Sequence, residues 1–143
     1  YETGKEFQTL QNEVSHIKDY IDIEKLRYDE TLDVSFSISG KTKKIIVKPL
    51  MLIPLVENAF KHGARNSTKN GYIKIDLKAT KKLLDFRIEN SFEKQTKKIE
   101  AQIGGIGLTN LKKRLELNYG PDFYSFNTIE EKNKYIAHLK VQL

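Results

Sequence analysis

Four polar residues in the stretch PLMLIPLVENAFKHG, residues 49–63, have the types and spacing to do chemistry. Glu57 and Lys61 stand four apart, as do Asn58 and His62, so each pair shares a face if the stretch is helical. A carboxylate, an amide, an ammonium and an imidazole along one border of a helix can orient a water, ligate a hard cation through oxygen and touch phosphate. The apolar residues between them, Leu52, Leu55, Val56, Ala59 and Phe60, recur at helical spacing and give the same helix a stripe for a core. An amphipathic core helix with a solvated edge explains the stripe. It leaves Asn58 unexplained, because asparagine is a middling helix former that prefers caps.

Two further patches carry chemistry. One is the end of a strand, Phe86-Arg87-Ile88-Glu89-Asn90-Ser91, where alternation places Glu89 and Asn90 on opposite faces. The other is Gly104-Gly105-Ile106-Gly107-Leu108 at the start of a helix. Glycines there let backbone N–H groups approach an anion, and the helix dipole favours it. A plain glycine hinge or cap explains the same residues. The stretch before it, SFEKQTKKIEAQI, shows no helical or strand period and contains Lys94, Lys97 and Lys98, which suits a phosphate-covering lid over 91–104.

The elements that must position these residues follow from periodicity. Residues 5–28 are predicted as one helix from Phe7, Leu10, Val14, Ile17, Tyr20, Ile21, Ile23 and Leu26, with charge on the other side. Val34, Phe36 and Ile38 alternate with serines, Gly40-Lys41-Thr42 is a turn, and residues 44–47 form a second short strand, so 33–47 is predicted as a hairpin. Pro49 suits a first helical turn, whereas Pro54 removes an intrahelical bond, so the regular helix is expected to begin near Pro54. Gly63 ends it and a polar loop follows. Residues 72–79 and 83–90 form a second hairpin turning at Lys81-Lys82. Leu108, Leu111, Leu115, Leu117 and Tyr119 mark the last helix, stopped by Gly120-Pro121. Residues 123–129 and 135–141 form a final hairpin, with His138 as an ordinary strand histidine. The fold class expected is α+β, a two-layer α/β sandwich with a mixed, mostly antiparallel sheet covered on one face by helices.

Composition narrows the classes. A chain of 143 residues, 38% hydrophobic, is sized for a single domain spanning 1–143. No apolar run approaches the roughly 20 residues needed to span a bilayer. With neither an initiator Met nor a signal-peptide pattern, the chain is expected to be a piece of a longer protein. There are no cysteines, and the three histidines, His16, His62 and His138, lack zinc-ligand spacing. The net charge of +6 comes from small lysine groups at turns and strand ends, without interleaved aromatics. A nucleic-acid partner is therefore not expected, and attraction of a polyanionic nucleotide is the simpler use of the charge.

In combination the motifs point to a family. LVENAFKHG, then a strand ending in ENS, then GGIGLTNLKKRLELNYG resemble the N, G1 and G2 boxes of histidine kinase ATP-binding domains of the GHKL (Bergerat) fold. The last segment and EVSHIKDYIDIEKLRY resemble the LytS-type sensor kinases, and the likeness spans essentially the whole chain. The resemblance implies ATP and Mg²⁺ as cofactors. Asn58 would ligate Mg²⁺ and Glu57 would act as the catalytic polar group, while Lys61 and His62 would contact phosphates. Gly105, Gly107 and Leu108 would hold the lid end and phosphate backbone, and Asn110 would lie beside the nucleotide. Arg114 is either a further contact or structural. Asn90 stands where many relatives carry the aspartate that accepts from the adenine amino group, followed by Ser91 and Phe92 in place of glycines. An asparagine oxygen still accepts that bond, but its NH₂ adds a donor.

The function implied is presentation of Mg²⁺-ATP for γ-phosphoryl transfer to a histidine on a separate, upstream, dimeric helical domain. A response-regulator aspartate would then receive the phosphoryl group. Residues 1–28 would continue that upstream region or pack on this domain. The phosphoacceptor's proline-histidine-phenylalanine-asparagine context is absent, so His16 is not given that role. The location implied is the cytoplasmic side of an inner-membrane sensor, with membrane contact only through upstream segments. The alternatives are a degenerate, non-catalytic nucleotide-binding module and another GHKL protein kinase, such as one that phosphorylates serine.

Overall fold

The computed structural model describes residues 7–28, 32–49, 51–64, 71–92 and 106–143. In chain order, a two-residue strand β1 (Gln8–Thr9) leads into helix α1 (Leu10–Lys25). The Thr9 side chain caps that helix by accepting from the Asn12 amide at 3.2 Å. Strand β2 (Asp33–Ser39), a 3₁₀ turn (Thr42–Lys44) and strand β3 (Ile46–Val47) follow. Helix α2 (Ile53–Asn58) continues directly into a π-helical segment (Ala59–Ala64). Strands β4 (Tyr72–Ala79) and β5 (Leu83–Ser91), helix α3 (Ile106–Tyr119), and strands β6 (Tyr124–Glu130) and β7 (Lys134–Gln142) complete the chain.

Five strands form one sheet in the order β2-β4-β5-β7-β6, antiparallel except for the parallel β2–β4 pair. Register places Val34, Phe36 and Ile38 beside Ile73, Ile75 and Leu77. Leu84, Phe86 and Ile88 stand beside Val141, Leu139 and Ala137. Those residues face the helices, and the apolar stripes of α1, α2 and α3 pack into the same core. The opposite face is polar, with Lys74, Asp76 and Lys78 on β4 and Asp85, Arg87 and Glu89 on β5. The expected mixed, helix-covered sheet is what forms, and the hairpins at 72–90 and 123–141 are its antiparallel part.

The hairpin expected across 33–47 does not form. β2 pairs in parallel with β4, and β3 pairs instead with β1 in a separate two-stranded sheet. The apolar alternation of β2 finds seven register partners on β4, whereas β3 has two residues to offer. Gly40, at φ 117°, turns the chain away toward the 3₁₀ turn. A parallel pair needs a crossover, and the crossover from β2 to β4 carries α2 and the π-helical segment onto the helix-covered face.

Helix α1 is shorter than the predicted 5–28. Its buried stripe is Leu10, Val14, Ile17 and Ile21, together with Glu13. Ile23 and Leu26 are 62% and 87% exposed. Ile23 lies two residues, or roughly 200°, round the helix from Ile21, so apolar type alone misplaces it. Leu117 is likewise 85% exposed on α3, while Leu108, Leu111 and Leu115 are buried.

Candidate functional site

The candidate residues sit on α2, at the end of β5 and at the start of α3. Pro54 lies in the first turn of α2, as its missing N–H requires. The preceding residues, PLML, contain no side chain able to cap a helix. The cap comes from α1: Glu13, fully buried, accepts from the Met51 amide at 2.8 Å and the Leu52 amide at 3.3 Å. Helical periodicity places charge on the outer side of α1, and Glu13 departs from that pattern. Its only signal is a carboxylate at an interior position of the 10-14-17-21 stripe.

Asn58 closes α2 where the backbone widens into the π-helical segment, a rare geometry that recurs at functional sites. Asn58 is half-buried, while Glu57 and Lys61 are exposed. Ala59 and Phe60 are buried and anchor the segment. The Phe60 ring meets Tyr20 edge-on at 5.6 Å and Tyr28 at 6.2 Å. Burial first, then the nearby carboxylates of Glu24 and Glu57, push the Tyr20 phenol up to about 12, so beside Glu57 it remains a neutral donor. The π-helical segment packs against β4 and β5, and α2 packs against α1 and α3. The side chain of His62 lies outside the described residues.

At the end of β5, Asn90 is buried on the helix-covered face and its Nδ2 donates to the Ser91 carbonyl at 2.8 Å. Glu89 points to the opposite face. There it accepts from the Tyr72 hydroxyl at 2.6 Å and from Arg87 at 2.9 Å. Asn90, rather than Glu89, therefore stands on the side of α2 and α3. The two residues that replace glycines have structural work. Ser91 Oγ accepts from the Tyr72 amide at 3.0 Å and donates to the Tyr72 carbonyl, tying β5 to the first residue of β4. Phe92 is buried, 6.4 Å from the Tyr135 ring, and its amide donates to the Asn133 carbonyl.

Gly107 falls in the first turn of α3, Leu108 is buried in the core, and Asn110 is exposed. Gly105 and the lysines at 94, 97 and 98 lie outside the described residues. His16 is exposed on α1, and His138 Nε2 is 2.7 Å from Asp85 across the β5–β7 pair, as an ordinary strand histidine would be.

No family model matches the chain. Sensor histidine kinase YesM of Bacillus subtilis is 28% identical over 121 residues, covering 83% of this chain and 21% of YesM. Sensor histidine kinase BtsS of Escherichia coli is 30% identical over 118 residues, covering 82% of this chain and 21% of BtsS. The nucleotide-free catalytic domain of histidine kinase ThkA superposes with a TM-score of 0.66 at 18% identity, over 95% of this chain and 93% of that one. ThkA in complex with the response regulator protein TrrA matches with a TM-score of 0.61 at 16% identity, over 95% of this chain and 41% of that one. Over four fifths of its length the chain is similar to one segment of these sensor histidine kinases, and its fold is that of the histidine kinase catalytic domains. It spans about a fifth of the length of these curated relatives.

The described residues hold no cluster of three His, Cys, Asp or Glu that would build a metal cage. Mg²⁺ needs no such cage, because one or two protein oxygens with phosphates and waters complete its shell. A cavity of about 230 Å³ lined by Lys41, Lys44, Ile45, Ala79, Thr80 and Lys81 lies at the opposite end of β4 from the Asn90 register partner, Ile73. It contains none of the residues singled out above. Among the described residues, no helix is long and apolar enough to cross a membrane.

The Glu89 network on the open face of the sheet has a pH signature. Burial acts to raise the Glu89 carboxyl, but hydrogen bonds from Tyr72 and Arg87 and the Arg87 charge outweigh it and hold the group below its ordinary value of 4.5. A depressed folded-state value means stability present above pH 4.5 and lost as the pH falls through the folded value. Urea unfolding is expected to show wild type more stable than Glu89→Gln at pH 7, with the gap closing below pH 4.5. A gap that stays constant down to pH 3 would contradict the assignment.

Proposed function

We propose that this chain binds Mg²⁺-ATP and presents the γ-phosphate to a histidine on an upstream helical domain of the full-length protein, from which a response-regulator aspartate receives it. The position of Asn58 carries the reading. It is a half-buried amide at an α-to-π junction, on the side of the sheet that Asn90 also faces. Asn58 would hold Mg²⁺ through its carbonyl oxygen, and the bound ion would offset phosphate charge. Glu57, exposed beside it, would orient a water or the incoming imidazole. Lys61 and His62 would contact phosphates, and Gly105, Gly107 and Asn110 would line the nucleotide path. Asn90 would accept from the adenine amino group. Buried Leu108 would hold the start of α3 against the core rather than touch ATP. Phosphoryl transfer needs positioning and charge neutralisation more than covalent chemistry, and this arrangement suits that demand. A homodimer through the upstream domain and a response regulator would be the partners, the second supported by the ThkA–TrrA complex. Kinase location at an inner membrane would come through segments outside this chain.

One observation favours a second reading, a nucleotide-binding module without catalysis. Asn90 Nδ2 donates to the Ser91 carbonyl, so this position offers an incoming amino group only a neutral amide oxygen where a carboxylate would offer a charged one. Calorimetric titration of ATP into the chain, with Mg²⁺ and with EDTA, tests binding. Saturable binding tighter than about 1 mM that weakens at least tenfold in EDTA is expected. No binding at millimolar ATP would overturn the reading. Binding followed by no transfer to the upstream histidine domain would favour the second.

A further inference from the structure

Glu13 is buried in the core-facing stripe of α1 with no basic residue among its hydrogen-bond partners. Both of its oxygens are engaged: Oε1 takes the Met51 and Leu52 amides, and Oε2 takes Gln8 Nε2 at 3.0 Å. The first two are the backbone groups at the entrance to α2. That helix is six residues long, begins without a capping side chain of its own, and ends on Asn58. Nothing within 49–58 replaces the Glu13 contact, because the segment PLMLIPLVEN has no polar side chain before Glu57. A carboxylate at a helix N-terminus also opposes the positive end of the dipole.

We propose that Glu13 is a positioning residue for Asn58, setting the start of α2, and hence the phase of its last residue, from α1. This rests on the reading of Asn58 as a Mg²⁺-ATP ligand. Pulling the carboxylate off Met51 and Leu52 frees the first turn to fray, and a six-residue helix completes fewer than two turns, which leaves little to absorb the error before Asn58. The same contact makes α1 a handle on nucleotide affinity, since any shift of α1 relative to α2 must stretch these two bonds.

The test uses the full chain and four variants. Glu13→Leu removes both acceptors, Glu13→Asp keeps the charge but withdraws it by one carbon–carbon bond, and Glu13→Gln keeps the reach and one acceptor oxygen. Val141→Ala, in β7 away from α2, is the control for lost stability alone. Affinity for Mg²⁺-ATP is measured by calorimetry well below each melting temperature, alongside hydrogen exchange at Met51 and Leu52. Glu13→Leu and Glu13→Asp are expected to weaken Mg²⁺-ATP binding about tenfold or more, a loss equivalent to about 1.4 kcal/mol, with faster exchange at both amides. Glu13→Gln is expected to stay within about threefold of wild type, and Val141→Ala to melt lower with unchanged affinity. If Glu13→Leu does not fold, Glu13→Asp decides. Wild-type affinity in Glu13→Asp, or an equal loss in Val141→Ala, overturns the proposal while leaving the ATP site standing. Absence of binding in wild type itself overturns the ATP site and this role together.

Discussion

Asn58→Ala is expected to abolish the Mg²⁺-dependent part of ATP binding and to leave the fold intact. Mg²⁺ is held by few protein oxygens when phosphates and waters supply the rest, so losing the single amide leaves no substitute. The described residues around it offer no second cluster of ligands. Glu57, the neighbouring carboxylate, is exposed and one residue round the helix, about 100° away. The loss should equal the wild-type gain from Mg²⁺, about tenfold or more and so at least about 1.4 kcal/mol, while affinity measured in EDTA changes little. Alanine is a better helix former than asparagine and the site is half-buried, so the melting temperature should stay within a few degrees. Calorimetry with and without Mg²⁺ on the same preparation reads both effects. Equal affinity of mutant and wild type in Mg²⁺ would remove Asn58 from the site, and a collapsed melting temperature would make its role structural.

The site and the fold were readable to different degrees, for physical reasons. Period-two alternation suffices for the β4–β5 and β6–β7 hairpins because their partners are adjacent in sequence and the turns are short. It fails at 33–47 because the partner of β2 is chosen by tertiary contacts. Val34, Phe36 and Ile38 look the same to a hairpin as to a parallel neighbour 39 residues away. On α1, residue type recovers Leu10, Val14, Ile17 and Ile21 but also admits Ile23 and Leu26, because apolar residues on a solvated face carry no mark that says so. Pro54 signals the start of α2 correctly, since proline acts through its own missing N–H and needs no context. Glu13 is the opposite case. Its meaning depends on amides 38 and 39 residues away, and a glutamate inside a helix ordinarily reads as a solvated charge. Ser91 and Phe92 likewise look like losses from a glycine motif until their bonds to Tyr72 and Asn133 are seen. The alternation that puts Asn90 and Glu89 on opposite faces holds, because a strand's period does not depend on its neighbours.

Phe60→Ala is expected to be the most destabilising substitution near the site. The side chain is among the largest fully buried ones and sits in the π-helical segment immediately after Asn58. Its ring fills the space between Tyr20 and Tyr28, and the Tyr28 hydroxyl reaches the Phe60 carbonyl at 3.5 Å, a long and weak bond. Truncation removes the transfer free energy of the ring, leaves a cavity and deletes two aromatic contacts, in all about 3–5 kcal/mol. Against a total stability of about 5–15 kcal/mol, that lowers the melting temperature by roughly 10–17 °C in a domain of this size. Leu117→Ala provides the contrast: Leu117 is 85% exposed, and its loss should stay within about 0.5 kcal/mol. Thermal and urea unfolding of both variants check the pair. The consequence for the site goes beyond stability. A π-helical segment has poorer backbone bonding than an α-helix and persists because packing holds it, and here the packing is largely Phe60 and Ala59. With Phe60 removed, the segment can relax toward α-helical spacing and change the direction in which the backbone leaves Asn58. Phe60→Ala should therefore weaken Mg²⁺-ATP binding even at a temperature where it remains folded. An affinity equal to wild type under those conditions would mean that the π-helical geometry serves the core alone.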